Sequence, residues 1–139
     1  MTTCPLCTSP GGHEVFKNEQ LRIVQATDTP NFPAFYRVIW NQHHTEFSQL
    51  TEQERSICMN AVVQVEKILI EHLNPTKINI ASLGNVVPHL HWHVIARFDT
   101  DSHYPDPIWA PARKEPNKEH IATLKAQCES INQHIARSL

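Results

Sequence analysis

His89-Leu90-His91-Trp92-His93-Val94-Ile95 is the stretch on which the reading of this chain turns. In an extended strand, side chains at i, i+2 and i+4 share a face. His89, His91 and His93 therefore line up on one side, with Cα atoms about 7 Å apart at twice the strand rise. The other side carries Leu90, Trp92, Val94, Ala96 and Phe98, an unbroken apolar stripe suited to a core. The stretch predicts one strand with a buried face and a chemical face. Neutral imidazole is a nucleophile, a base and a metal ligand, and imidazolium is an acid and an anion anchor, all near neutral pH. Two chemistries fit the row. Either the middle imidazole attacks phosphorus while its neighbours handle protons and oxyanions, or two or three of the rings hold zinc with a position open for water. A merely solvated strand face is the bland alternative.

Working outward, residues 77–83 read as the preceding strand, followed by Gly84-Asn85. Upstream, Thr51-Glu52-Gln53-Glu54 is a capping box with Thr51 as N-cap. The helix behind it should run to about Leu73, with Ile57, Ala61, Val65, Ile68 and His72 on one face, and Asn74-Pro75 ends it. Residues 14–17 and 21–26 read as a hairpin turning near Asn18-Glu19-Gln20, and residues 35–40 as a strand in which Tyr36, Val38 and Trp40 alternate. Downstream, residues 99–116 hold Pro105, Pro107, Pro111 and Pro116 and read as an irregular loop that brings Tyr104 and Trp109 along. For Trp109, a cover over the edge of the core is preferred to a place in a substrate cleft or against a partner subunit. A C-terminal helix over about 117–139 carries Ile121, Leu124, Cys128, Ile131 and Ile135 on one stripe. Strand pairs separated by a helix predict an α+β fold with an antiparallel sheet of five strands and two helices.

The 139 residues suit a single domain spanning 1–139 with a real core. The formal net charge of −2 argues against a generic nucleic-acid surface. There is no apolar run of about 18 residues and no apolar leader after Met1-Thr2-Thr3, so neither membrane association nor export is expected, and the cytoplasm is the expected compartment. The three glycines, Gly11, Gly12 and Gly84, supply no Gly-rich phosphate loop. In a reducing compartment, Cys4-Pro5-Leu6-Cys7 is more often metal-binding or redox-active than a structural disulfide. With only three residues ahead of Cys4 for a strand, zinc held by two thiolates and two histidines from elsewhere is the favoured reading over a redox or a metal-free pair. Cys58 and Cys128 fall in helices and read as small core residues.

The alternating run 89–95 resembles the signature of the histidine triad family, a large group of nucleotide hydrolases and transferases. Cys4-Pro5-Leu6-Cys7 resembles that family's zinc-binding variant. His43 ahead of Leu50-Thr51 resembles its fourth histidine before the first long helix, and Gly84-Asn85 resembles its phosphate-side turn. The resemblance covers about residues 1–110 and implies a fold that dimerises by extending the sheet, hence a homodimer. It implies that His91 is the nucleophile on the α-phosphate of a nucleotide and forms a covalent nucleotidyl-imidazole, while His93 donates to an oxygen where charge develops and His89 orients the site. Asn85 would add a neutral donor to the phosphate and Asp28 would meet a ribose hydroxyl, a turn-capping Asp28 being an equal reading. Cys4, Cys7, His43 and His89 would hold a structural zinc.

Departures from the pattern bear on the substrate. Phosphoramidate-cleaving relatives carry a hydroxyl residue three positions before the first triad histidine, and here that position is Val86. A phosphate-type leaving group becomes relatively favoured over an amine. The transferase branch has glutamine where this chain has His93, so hydrolysis is favoured over transfer. His44 should point away from His43, and His13, His72, His103, His120 and His134 read as surface or helix-face residues. Two other readings stay open: a nucleotide-binding regulatory module with incidental hydrolysis, and a metallohydrolase with zinc in the row of His89, His91 and His93.

Overall fold

The computed structural model describes residues 3–139; Met1 and Thr2, at the head of the stretch expected to carry no apolar leader, lie outside the described residues. Five strands, β1 (His13–Lys17), β2 (Leu21–Gln25), β3 (Phe35–Trp40), β4 (Lys77–Ala81) and β5 (His91–Arg97), make one sheet in the order β1-β2-β3-β5-β4. Every neighbouring pair is antiparallel. The helices are α1 (Pro5–Thr8), α2 (Glu52–Leu73) and α3 (Lys118–Ser138). The fold is α+β, as the pattern of elements predicts, with one helix more than expected. The extra helix, α1, is a single turn opened by Pro5, too short to show apolar periodicity.

Local signals set the boundaries. The Asn18 side chain accepts from the backbone N–H groups of Gln20 and Leu21 at 2.9 Å each, which closes the β1–β2 turn. At the start of α2, Thr51 Oγ1 accepts from the Glu54 N–H (3.1 Å) and the Glu54 carboxylate accepts from the Thr51 N–H (2.8 Å). The helix ends on Asn74 in the left-handed region, φ 45°. β4 stops at Ala81 rather than 83 because Ser82 donates to the His91 carbonyl (2.8 Å) and Leu83 leaves the sheet, half-exposed. β5 starts at His91, so His89 precedes the strand instead of opening it. Pro88 has no N–H for a ladder, and the His89 N–H turns back to the Val87 carbonyl (2.9 Å).

One face of the sheet packs against α2 and α3. Leu21, Ile23, Tyr36, Val38, Trp40, Leu90, Val94 and Ala96 meet Cys58, Ala61, Val62, Val65, Leu69, Cys128, Ile131 and Ile135 in one cluster. Cys58 and Cys128 are thus core residues, and burial pushes the Cys58 thiol up to about 11, which leaves it inert as a nucleophile. The opposite face carries Phe35, Arg37 and Ile39 of β3 against Ile95, His93 and His91 of β5, pair by pair. Leu6 packs there on Val24 and Ile39, and Phe32 and Ile108 pack on Phe35 and Ile95. The second face is therefore walled at both ends and open between.

Candidate functional site

His91 and His93 point from β5 into a cleft of about 570 Å³ whose walls include Gly84, Asn85, Val86, Asp28, Arg37 and Trp109. Both rings are more than nine-tenths buried. His91 Nδ1 lies against the His89 carbonyl oxygen, a partner that only a protonated nitrogen can serve. Nε2 is then the lone-pair nitrogen. Burial holds His91 below the usual imidazole range; the His89 carbonyl opposes that shift and the Arg37 cation reinforces it. For His93, burial first, then His91 and Arg37, push the ring down to about 4. Both imidazoles are neutral at neutral pH, and His93 Nδ1 is buried without a hydrogen-bond partner. His93 is packed edge-on by Phe35 (5.3 Å between centroids), His91 (4.9 Å) and Trp109 (5.2 Å).

His89 has a different environment. Its Nε2 lies 2.6 Å from the Trp40 carbonyl oxygen, so that nitrogen carries the proton and Nδ1 is free to ligate. Around Nδ1 stand Cys4 Sγ at 3.4 Å, Cys7 Sγ at 3.5 Å and His43 Nδ1 at 3.2 Å, with Cys7 Sγ 3.5 Å from His43 Nδ1. All four ligand atoms lie within 4.8 Å of one another. A tetrahedron with metal–N near 2.0–2.1 Å and metal–S near 2.3 Å requires N···N of about 3.3 Å and N···S of about 3.6 Å. The donor set fits a metal. Among the described residues it is the only such group, and neither His91 nor His93 belongs to it. His44 is used through its backbone, accepting from the Leu90 N–H at 2.7 Å. His72 and His134 stack on each other between α2 and α3 (4.2 Å), away from the site.

Three arginines were not identified from the sequence. Arg22, buried on β2, donates to the carbonyls of Leu6 (2.6 Å), Ser9 (3.1 Å) and Pro10 (2.9 Å), and so fastens the segment that carries Cys4 and Cys7. Arg97, 1% exposed, donates to Asp101 through Nε (2.9 Å) and Nη2 (3.0 Å) and to Asn79 (2.9 Å). Asp101 also accepts from the N–H groups of Phe98, His103 and Tyr104, which fixes the start of the proline-rich loop. Arg37 lies in the cleft beside His93, with Asp28 accepting from its Nη2 at 3.2 and 3.3 Å. Strand alternation was the available signal: Tyr36, Val38 and Trp40 inward places Arg37 on the histidine face. The expectation for Trp109 needs correction. It is half-exposed in the cleft wall, edge-on to His93 and to Phe35 (6.4 Å), and the core edge is covered by Ile108 instead.

Residues 12–100 match the family model described as the HIT domain. Among solved structures, the fold is similar to histidine triad proteins of Sinorhizobium meliloti (26% identity, TM-score 0.68) and Bradyrhizobium japonicum (24%, 0.69), each over 87% of this chain and 90% of the other. A histidine triad protein of Marinobacter aquaeolei is similar over 91% of this chain and 93% of its own, at 22% identity and TM-score 0.70. The comparison with curated proteins gives no match. With His91 and His93 on β5 and His89 just ahead of it, the neutral imidazole pair in the cleft and a family match over most of its length, this chain belongs to the histidine triad (HIT) family.

Proposed function

We propose that this protein is a hydrolase that cleaves nucleotide derivatives at the α-phosphate through a nucleotidyl intermediate on His91. The observation that carries the reading is the contact of His91 Nδ1 with the His89 carbonyl, which leaves Nε2 as a neutral lone pair in the cleft. Nε2 forms the N–P bond as the bond from phosphorus to the leaving-group oxygen breaks and its electron pair departs with that oxygen. Water then attacks phosphorus, the N–P bond breaks with its pair returning to Nε2, and the water's proton passes to solvent. Two easier displacements replace one difficult one. His93, neutral and without a partner on Nδ1, donates a hydrogen bond to an oxygen on which charge develops. Asn85 is the neutral donor for the phosphate and Asp28 the acceptor for a ribose hydroxyl, both in the cleft wall. A histidine triad protein of Sulfolobus tokodaii with this fold (TM-score 0.65) is described as nucleotide-binding, in keeping with a nucleotide as the partner.

Zinc is the metal that suits two thiolates and two imidazoles, and with four protein ligands its role is structural, tying the N-terminal segment to the entrance of β5. The alternative of zinc in the row of three is disfavoured because His89 Nδ1 faces Cys4 and Cys7 instead of His91. The rest of the reading is one domain over 1–139 in a reducing cytoplasm, paired as a homodimer through a sheet edge. β4 is an outer strand, and Ile80 on it and Val63 and Ile70 of α2 are exposed. No helix among the described residues is long and apolar enough to cross a membrane. Sedimentation equilibrium showing a monomer at tens of micromolar, a usual range for weak association, counts against the dimer.

The test of the reaction is rapid-quench mass spectrometry during turnover, after a screen of dinucleoside polyphosphates, nucleoside phosphoramidates and adenylyl sulfates. The adduct should map to His91 and be absent from His91→Ala. An adduct elsewhere, or full turnover by His91→Ala, replaces this mechanism with direct attack by water. Absence of turnover across the screen, with nucleotide still bound, points to the regulatory module.

A further inference from the structure

Arg37 has no part in the steps above, yet it is the sole permanent cation among the described residues that line the cleft. It is the register partner of His93 across β3 and β5, and such partners have Cβ atoms about 4.5–5.5 Å apart. Its guanidinium lies over the Phe35 ring, 4.9 Å from the centroid, and Nη1 donates to the Gly11 carbonyl at 3.2 Å. Among the described residues its one charged partner is Asp28, at 3.2 and 3.3 Å, long for a charge-assisted bond. The two side chains differ in exposure: 16% for Arg37 and 67% for Asp28. A half-solvated pair of this kind holds its cation weakly. A phosphate that accepts from the guanidinium fork in two parallel bonds competes readily for it.

We infer that Arg37 is the specificity-determining subsite for an anionic leaving group, the phosphate next to the attacked α-phosphate. The inference rests on the hydrolase reading above. When the α-phosphate is transferred to His91, the bridging P–O bond breaks and its electron pair stays on the departing phosphate. A fixed cation next to His93 stabilises that growing charge without giving up a proton. Val86, 93% exposed at the cleft mouth, offers no proton to a departing amine. A cation in place of a proton donor suits an anhydride and does nothing for a leaving group that adds no charge to the substrate.

The experiment compares diadenosine tetraphosphate with the p-nitrophenyl ester of AMP, whose leaving phenolate spreads its charge into the nitro group, needs no acid assistance and brings no second phosphate for the guanidinium fork. In Arg37→Gln, kcat/KM for the tetraphosphate should fall about 100-fold, the scale of losing one preorganised charge donor, mostly in kcat. The ester should change less than about threefold, within the effect of a lost rim contact. Arg37→Lys, which keeps the charge but loses the fork, should recover about tenfold of that loss. It also reads the proposal if Gln unfolds the cleft wall, since the preference for the tetraphosphate must then fall below wild type. Equal losses on both substrates, or none on either, overturn the assignment and leave Arg37 as a brace for Asp28. Wild-type protein inert toward both overturns the hydrolase reading itself, and this one with it.

Discussion

On the helix-covered face of the sheet, Ile23, Val38, Trp40 and Val94 meet Val65, Leu69 and Ile131, and every one of these residues is at most 2% exposed. On the opposite face, the same strands present Arg22, Arg37, His91, His93 and Arg97, buried or nearly so among carbonyls, carboxylates and each other. The first face is held by area removed from water, which is non-directional and tolerates substitutions of similar volume. The second face buries polar groups, and each of these costs free energy unless its donors and acceptors are met. The difference teaches where each kind of damage belongs. A methylene removed from the helix face should change stability and little else, whereas a polar atom removed from the site face should change chemistry, except where the site face also closes the fold.

That exception carries the largest expected effect. Cys4 and Cys7 on the N-terminal segment meet His43 ahead of α2 and His89 ahead of β5, so one metal would clamp three distant stretches. A structural zinc contributes on the order of 10 kcal/mol in small domains, comparable to the whole stability of an ordinary one. The double variant Cys4→Ser/Cys7→Ser should lose its metal by elemental analysis and unfold far earlier in urea. Metal retained at full occupancy in that variant would place it in the histidine row and collapse the division between a structural cluster and a reacting pair.

The next two effects test the comparison by crossing it. His91→Ala should lower turnover by about 10⁴-fold or more, the scale seen when a nucleophile is removed, with the urea midpoint barely moved. Leu69→Ala, at a residue with 0% exposure in the helix-face cluster, should lower stability by about 2–5 kcal/mol with kcat within about twofold. A His91 variant that unfolds, or a Leu69 variant that folds normally but does not turn over, would mean that the faces are not separable.

The two faces were unequally legible. Ala61, Val65, Leu124, Cys128, Ile131 and Ile135 could be found because a helix repeats its buried stripe every three or four residues, and Thr51 because a capping box is local. Cys4 and Cys7 were visible as a pair, but nothing local ties them to His43 or His89, and those two came through resemblance. Alternation with Tyr36, Val38 and Trp40 puts Arg37 on the face of β3 away from the helices, but its place opposite His93 follows only from the β3–β5 register. Arg97 and Asp101 are only four apart, yet their pairing needs the chain to turn immediately after β5. Trp109 was misplaced for the same reason: a proline-rich loop has no period from which its facing can be read. Side chains that act through long-range partners leave no repeat in the sequence.

The smallest effect concerns that loop and is a matter of pH. Burial alone would raise the Asp101 carboxyl, but hydrogen bonds from the Arg97 guanidinium and from the His103 and Phe98 N–H groups outweigh it and hold the group below its ordinary value. A carboxyl depressed on folding contributes stability that is fully present above its unfolded value, near pH 4. That stability is lost as the pH falls through the lower folded value. The wild type should therefore lose stability below about pH 4, with Arg97 left buried and uncompensated. Asp101→Asn keeps an acceptor but not the charge, and should cost about 1.5–3 kcal/mol at neutral pH, the worth of hydrogen bonds to a charged group. Its acid limb should be correspondingly flatter. Urea melts from pH 7 to pH 3 measure both. Acrylamide quenching reports the loop separately, because Trp109 is half-exposed whereas Trp40 is buried and Trp92 packs against the core. Parallel acid limbs for the two proteins would show that the Arg97–Asp101 pair does not hold the loop, and the Trp109 wall of the cleft would then rest on Phe35 and Ile108 alone.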